Sequence, residues 1–172
     1  NDWLIEYCSV APDRLFGIAT ISVYDIDNAI EEMRRCKNAG MVCAMIWQVP
    51  PEHLPFTSDH YERLWAAAQD LDMPIQLHIL TGFDYSVNLT GNRGGPLEAH
   101  RGSVNLKTAG AMNTPMDIIF TGVLERYPDL IFHVVESEIG WIPFILQQWD
   151  YYVLRNNSLS ENSPPPLPIW TP

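Results

Sequence analysis

A chain of 172 residues, 47% of them hydrophobic, is long enough to bury a core and suits a single domain. Its formal net charge of −11 creates a field that repels phosphate backbones, which argues against nucleic acid as a partner. No stretch approaches the roughly 18 uninterrupted apolar residues of a membrane span, so no membrane partner is expected.

No basic, apolar leader opens the sequence, so export is not expected. Cys8, Cys36 and Cys43 lack metal-type spacing. They read as small core residues of a reduced, cytoplasmic protein. Without a secretory signal, Asn88-Leu89-Thr90 and Asn156-Asn157-Ser158 match the glycosylation sequon by chance.

Strands and helices alternate regularly along the chain. Residues 15–22 read as a strand. Asp27 caps the helix that follows, in which Ile26, Ile30, Met33 and Cys36 keep helical spacing. Acidic Glu31 and Glu32 precede Arg34, Arg35 and Lys37, the order a helix dipole favours, and Gly40 ends the helix. The apolar run 42–47 is a second, buried strand. Ser58 then caps a helix with Tyr61, Leu64, Trp65, Ala68 and Leu71 on one face, closed by Pro74. Residues 75–80 form the third strand. The polar, Gly-rich stretch 81–113 is too long for an ordinary connection. Thr114-Pro115 starts a helix expected to run to Tyr127. Residues 130–136 form the fourth strand, and a last helix carries Trp141, Phe144, Ile145, Gln148 and Tyr152.

This order leaves a doubly wound sheet or a β/α barrel. The doubly wound fold expects a Gly-rich turn after its first strand, and Val23-Tyr24-Asp25 has none. The barrel expects polar groups at the outer strand ends, and Gln48, His78 and Glu136 stand there. A complete (β/α)8 barrel needs about 250 residues. The expected fold is therefore a partial TIM barrel of about four parallel strands, truncated at both ends. Residues 1–162 would form it, and 163–172 would be a Pro-rich extended tail.

In the third strand Ile75, Leu77 and Ile79 alternate with Gln76, His78 and Leu80. The first set suits contact with outer helices, so Gln76 and His78 would face the barrel interior. Neutral imidazole is the commonest metal ligand, and an inward His at a barrel mouth is well placed to be one. A hydrogen-bonded core histidine is the competing role for such a residue.

Several blocks resemble the amidohydrolase superfamily, in its aminocarboxymuconate-semialdehyde-decarboxylase-like branch. They are Phe16-Gly17-Ile18-Ala19, Tyr61-x-x-Leu64-Trp65-Ala66-Ala67-Ala68, Met73-Pro74-Ile75-Gln76-Leu77-His78, the run from Gly122 to Leu130, and Glu136-Ser137-x-Ile139-Gly140-Trp141-Ile142-Pro143 with Gln148-x-Asp150. The resemblance spans most of residues 12–151. It implies a β/α barrel around one divalent metal ion, zinc or manganese. The implied chemistry is hydrolysis or non-oxidative decarboxylation of a small carboxylic, aromatic or unsaturated substrate.

Within that pattern His78 matches the family's fifth-strand metal ligand. The first-strand His-x-His or Glu-x-His pair and the late-strand Asp have no counterpart here, and Asp150 falls in a helix. Where the family carries an acid/base histidine on its sixth strand, this chain has Ser137. A serine cannot exchange protons as an imidazole does near neutral pH. Neighbouring Glu136 could take over the role, but adjacent strand residues point to opposite faces. Only a bulge or an early strand end would bring both into the site. Trp47 and Trp141 are candidate apolar walls for a planar substrate, against ordinary packing at the barrel rim.

His133 reads as a core histidine and His60 as a surface residue. His53 and His100 are weaker candidates, although His100-Arg101 could meet a carboxylate. Asn92-Arg93-Gly94-Gly95 lacks the context of a phosphate loop. With one metal ligand, the chain by itself is expected to be inactive. The alternative from another class is a catalytically silent half-barrel serving as a structural or interaction module. Its unpaired strand edges would also allow a homo-oligomer.

Overall fold

The computed structural model describes residues 1–82 and 111–159. The sequon at Asn88, Asn92–Gly95, His100-Arg101 and the Pro-rich tail lie outside the described residues. The chain divides into two compact units, Asn1–Ser137 and Glu138–Pro172.

The first unit is a four-stranded parallel sheet in the order β1-β2-β3-β4. The strands are β1 (Ile18–Thr20), β2 (Cys43–Val49), β3 (Ile75–Gly82) and β4 (Phe132–Val135). Its helices among the described residues are α1 (Asp2–Ser9), α2 (Ile26–Asn38), α3 (Glu62–Asp70), α4 (Ala111–Phe120) and α5 (Val123–Arg126). A 3-10 turn, Asp59–Tyr61, leads into α3. Sequential strands that pair in parallel and are joined through helices are the repeating unit of a β/α barrel. The second unit contributes α6 (Ile142–Leu159).

Side-chain alternation sorts the sheet into two faces. Ala44, Ile46, Ile75, Leu77 and Ile79 are buried, while their neighbours Met45, Trp47, Gln76 and His78 are half-buried. The buried set meets the helices. Met33 and Cys36 of α2 and Leu64, Trp65 and Ala68 of α3 belong to the same core. Trp65 is its hub, 5.4 Å from Tyr61, 5.9 Å from Phe56 and 5.3 Å from Phe132 between ring centroids. That last contact ties α3 to β4.

The differences from the sequence reading have local causes. β1 is shorter than expected because only Ile18–Thr20 pair with β2. The cap of α2 is Asp25, which accepts from the Asn28 N–H at 3.0 Å; Asp27 lies inside the first turn and pairs with Arg63. Ser58 makes no cap bond and donates to Pro55 O at 2.8 Å instead. Thr114-Pro115 does not start its helix, which is already formed at Ala111. Thr114 Oγ1 donates to Gln48 O of β2 at 2.6 Å. The helix expected to reach Tyr127 breaks at Gly122, whose φ of 72° is left-handed. α1 escaped the sequence reading because its exposed side, with Trp3 stacked on Tyr7 one turn away, hides the helical polarity pattern. His133 is exposed rather than a core residue: it is paired in register with Gln76 and shares its half-open face.

Candidate active site

The outer ends of β3 and β4 are both irregular, and this irregularity builds the site. Trp47 pairs with His78, but the next pairing is Val49 with Gly82, so β3 carries extra residues at its end. Leu80 turns through a left-handed φ of 63°. Gly82 is required where β2 closes on it: a Cβ there would lie 2.0 Å from Val49 O, and its φ is 118°. Thr81 clamps the two strands, accepting from Gln48 N–H at 3.0 Å and donating to His78 O at 2.5 Å. The His78 backbone is thereby fixed next to β2.

His78 is held at its ring as well. Nδ1 lies 2.7 Å from Ile79 O. A carbonyl can only accept, so Nδ1 carries the hydrogen and the neutral ring keeps its lone pair on Nε2. Nε2 faces Glu136 Oε2 at 3.6 Å, with the His78 side chain 32% exposed. The ring is thus anchored at Nδ1, and Nε2 is the nitrogen turned toward Glu136.

Glu136 reaches His78 because β4 ends at Val135 and Glu136 itself takes a φ of 58°. That turn removes the objection that adjacent strand residues face opposite ways. Ser137, one residue on, is 3% exposed and donates to Val135 O at 3.2 Å. So the strand end brings the carboxylate beside the imidazole and turns the serine hydroxyl onto the backbone.

Trp47 emerges beside His78 on the same face. Its Nε1 donates to Tyr61 Oη at 3.2 Å, and Tyr61 in turn donates to Leu54 O at 2.6 Å. Burial pushes the Tyr61 hydroxyl up to about 12, so it stays a neutral donor. Tyr24 stands edge-on to Trp47, with centroids 4.7 Å apart. Trp141 is half-buried and belongs to the second unit, just before α6. Gln48 is buried and continues the helix-facing alternation of Ala44 and Ile46. Gln76 lies deeper than His78 on the open face, and its buried Oε1 has no hydrogen-bond partner among the described residues. His60 is half-buried and bonded to Val23 O at 2.8 Å, and His53 is exposed.

Tyr24 and Thr81 were not singled out from sequence. The available signal was position: each stands within a few residues of a strand's outer end, where barrel sites are built. Among the described residues no cluster of three or more His, Cys, Asp or Glu side chains could hold a metal ion. No helix among them is long and apolar enough to cross a membrane.

Comparison with known proteins bears on the family and the fold. A family model described as amidohydrolase matches residues 1–156. Gamma-resorcylate decarboxylase of Rhodococcus jostii is 37% identical over 87 residues, covering 45% of this chain and 26% of that enzyme. The Rhizobium sp. enzyme of the same name is 34% identical over 84 residues, with the same coverages. Among solved structures, 2,6-dihydroxybenzoate decarboxylase from Rhizobium superposes with a TM-score of 0.70 at 23% identity, over 99% of this chain and 51% of that one. A 5-carboxyvanillate decarboxylase from Novosphingobium aromaticivorans, complexed with manganese and 4-hydroxy-3-methoxy-5-nitrobenzoic acid, superposes at 0.72 and 22% identity, over 95% and 46%. The chain thus spans about half the length of these solved structures, and its four parallel strands with flanking helices are part of a TIM-barrel fold. On the family match, the fold and the order of its motifs, this chain belongs to the amidohydrolase family.

Proposed function

We propose that the chain supplies part of the active site of a metal-dependent carboxy-lyase that removes CO2 from a small aromatic carboxylic acid without oxidation. The observation that carries this reading is the approach of His78 Nε2 to Glu136 Oε2 at the outer ends of adjacent strands. The curated relatives are decarboxylases, which favours this branch of the chemistry. Their being enzymes also favours it over a silent interaction module.

His78 would hold a divalent ion, zinc or manganese, through Nε2; the anchored Nδ1–H fits that role. The bound ion would supply positive charge that orients the substrate's oxygens. Glu136 would deliver a proton from Oε2 to the ring carbon that bears the carboxylate. The carbon–carbon bond then breaks, its electron pair returns to the ring, and CO2 leaves. Trp47 would face the ring as an apolar wall. Ser137 would act by keeping the turn that aims Glu136, since its hydroxyl is bonded to Val135 O. A cytoplasmic setting and a homo-oligomer stay part of this proposal, as does the division into a barrel portion, 1–162, and a tail.

One histidine cannot hold a metal ion tightly, so the activity would require a complete eight-stranded barrel. The test is release of labelled CO2 from carboxyl-labelled 2,6-dihydroxybenzoate by the complete barrel loaded with manganese. Glu136→Gln should lower kcat by roughly 10²–10⁴-fold, the usual worth of a positioned acid, with little change in KM. An unchanged kcat would remove Glu136 from the proton transfer. Release of a hydrolysis product from an ester or amide, without CO2, would assign the hydrolytic branch instead.

A further inference from the structure

The mouth of the sheet holds more than the His78–Glu136 pair. Passing across the outer strand ends, each strand offers one distinctive side chain: Tyr24 after β1, Trp47 in β2, His78 in β3 and Glu136 after β4. Three of these have been given a part in the reaction. Tyr24 has none, yet its placement is unusual. It is a large aromatic residue, 51% exposed, sitting between the buried residues Val23 and Ile26. Its ring meets Trp47 at an interplanar angle of 82°. No hydrogen bond of its hydroxyl is found among the described residues.

Trp47 cannot turn freely to meet a substrate, because its Nε1 is tied to Tyr61 Oη and Tyr61 is 0% exposed. An indole locked in this way and braced edge-on by a second ring forms a corner of fixed shape. Aromatic rings prefer such edge-to-face and offset contacts, and a third planar ring can extend the same pattern. Immobilising the corner in advance also lowers the entropy lost on binding.

We infer that Tyr24 and Trp47 together form a preorganised aromatic corner that selects a planar, ring-bearing carboxylate over a saturated one, with Tyr24 as a specificity-determining residue. This inference rests on the reading that His78 and Glu136 are the reacting end of the same mouth. It adds a division of labour. The β3 and β4 ends handle the carboxylate, and the β1 and β2 ends read the flatness of the ring. The Tyr24 hydroxyl is not needed for that discrimination; its ring is.

The test measures binding of two probes of nearly equal size, benzoate and cyclohexanecarboxylate, to the chain by ligand-observed NMR, with and without added Mn²⁺-free chelator. The native protein should favour benzoate by about two- to tenfold, the range expected of one aromatic pair. Tyr24→Phe should keep that ratio and Tyr24→Ala should abolish it, while thermal unfolding reports any general loss of structure separately. The ratio should survive chelation and His78→Ala, because it depends on rings rather than on metal. A ratio lost on His78→Ala but kept in Tyr24→Ala would overturn the inference. So would equal affinity of the native protein for both probes, or binding of neither. A failure of the metal reading would look different: His78→Ala would leave metal binding unchanged while the ring preference stayed with Tyr24.

Discussion

Glu136 takes a left-handed backbone conformation, with φ at 58°, and that conformation is what carries its carboxylate to His78. Replacing it by Gly and by Ala separates backbone strain from side-chain chemistry, because both variants lose the carboxylate. A residue with a Cβ is about 1–2 kcal/mol less favourable than Gly in this region. Gly in turn gives up about 0.4–1 kcal/mol through the greater freedom of the unfolded chain. The difference leaves Glu136→Gly more stable than Glu136→Ala by about 0–1.6 kcal/mol. At an ordinary strand position the order is reversed, Ala being favoured by about 0.5–1 kcal/mol. The sign is therefore diagnostic. Urea unfolding of the two variants, followed by tryptophan fluorescence and compared at equal m-value, reads it directly. An alanine variant clearly more stable than the glycine variant would refute a strained turn at the end of β4, and with it the account of how Glu136 enters the site.

Two further outcomes follow from the core and the surface. Trp65→Ala should cost about 3–5 kcal/mol, because it empties the junction of α3 with β4 where Trp65 is 1% exposed; calorimetry should show a fall in Tm of roughly 6–20 °C. Hydrogen bonding from Arg35 holds the Glu32 carboxyl down at about 2, against an ordinary 4.5. Its folded pKa is the lower one, so its contribution is present above pH 4.5 and is lost as pH falls through about 2. Glu32→Gln should remove that part of the acid dependence. Parallel stability curves for variant and native protein below pH 4.5 would contradict it.

Much of this architecture could be read before the structure, because hydrophobic period and strand-helix order are local signals. The alternation of Ile75, Leu77 and Ile79 with Gln76 and His78 maps onto a helix-facing and an open face. His133 was misread because a short strand beside an open face exposes residues that a closed sheet would bury. The cap at Asp25 and the break at Gly122 depend on one-residue choices that composition leaves open. The site was legible in part. His78 stood out as a polar residue on an apolar strand. Whether Glu136 could join it hinged on where β4 ends and on a single backbone angle, and neither is written in a hydrophobic pattern. Tyr24 and Thr81 act through neighbours brought close by pairing across strands, which only coordinates reveal.

The central claim is that His78 Nε2, beside Glu136, is the place where a divalent ion binds. NMR of the histidine side chains during a Mn²⁺ titration tests it most directly, since the five imidazoles of the chain report independently. Paramagnetic broadening should appear first and most strongly at His78, require excess metal, and vanish from that position in His78→Ala. Broadening spread evenly over His53, His60 and His133, or centred away from His78, would contradict the account.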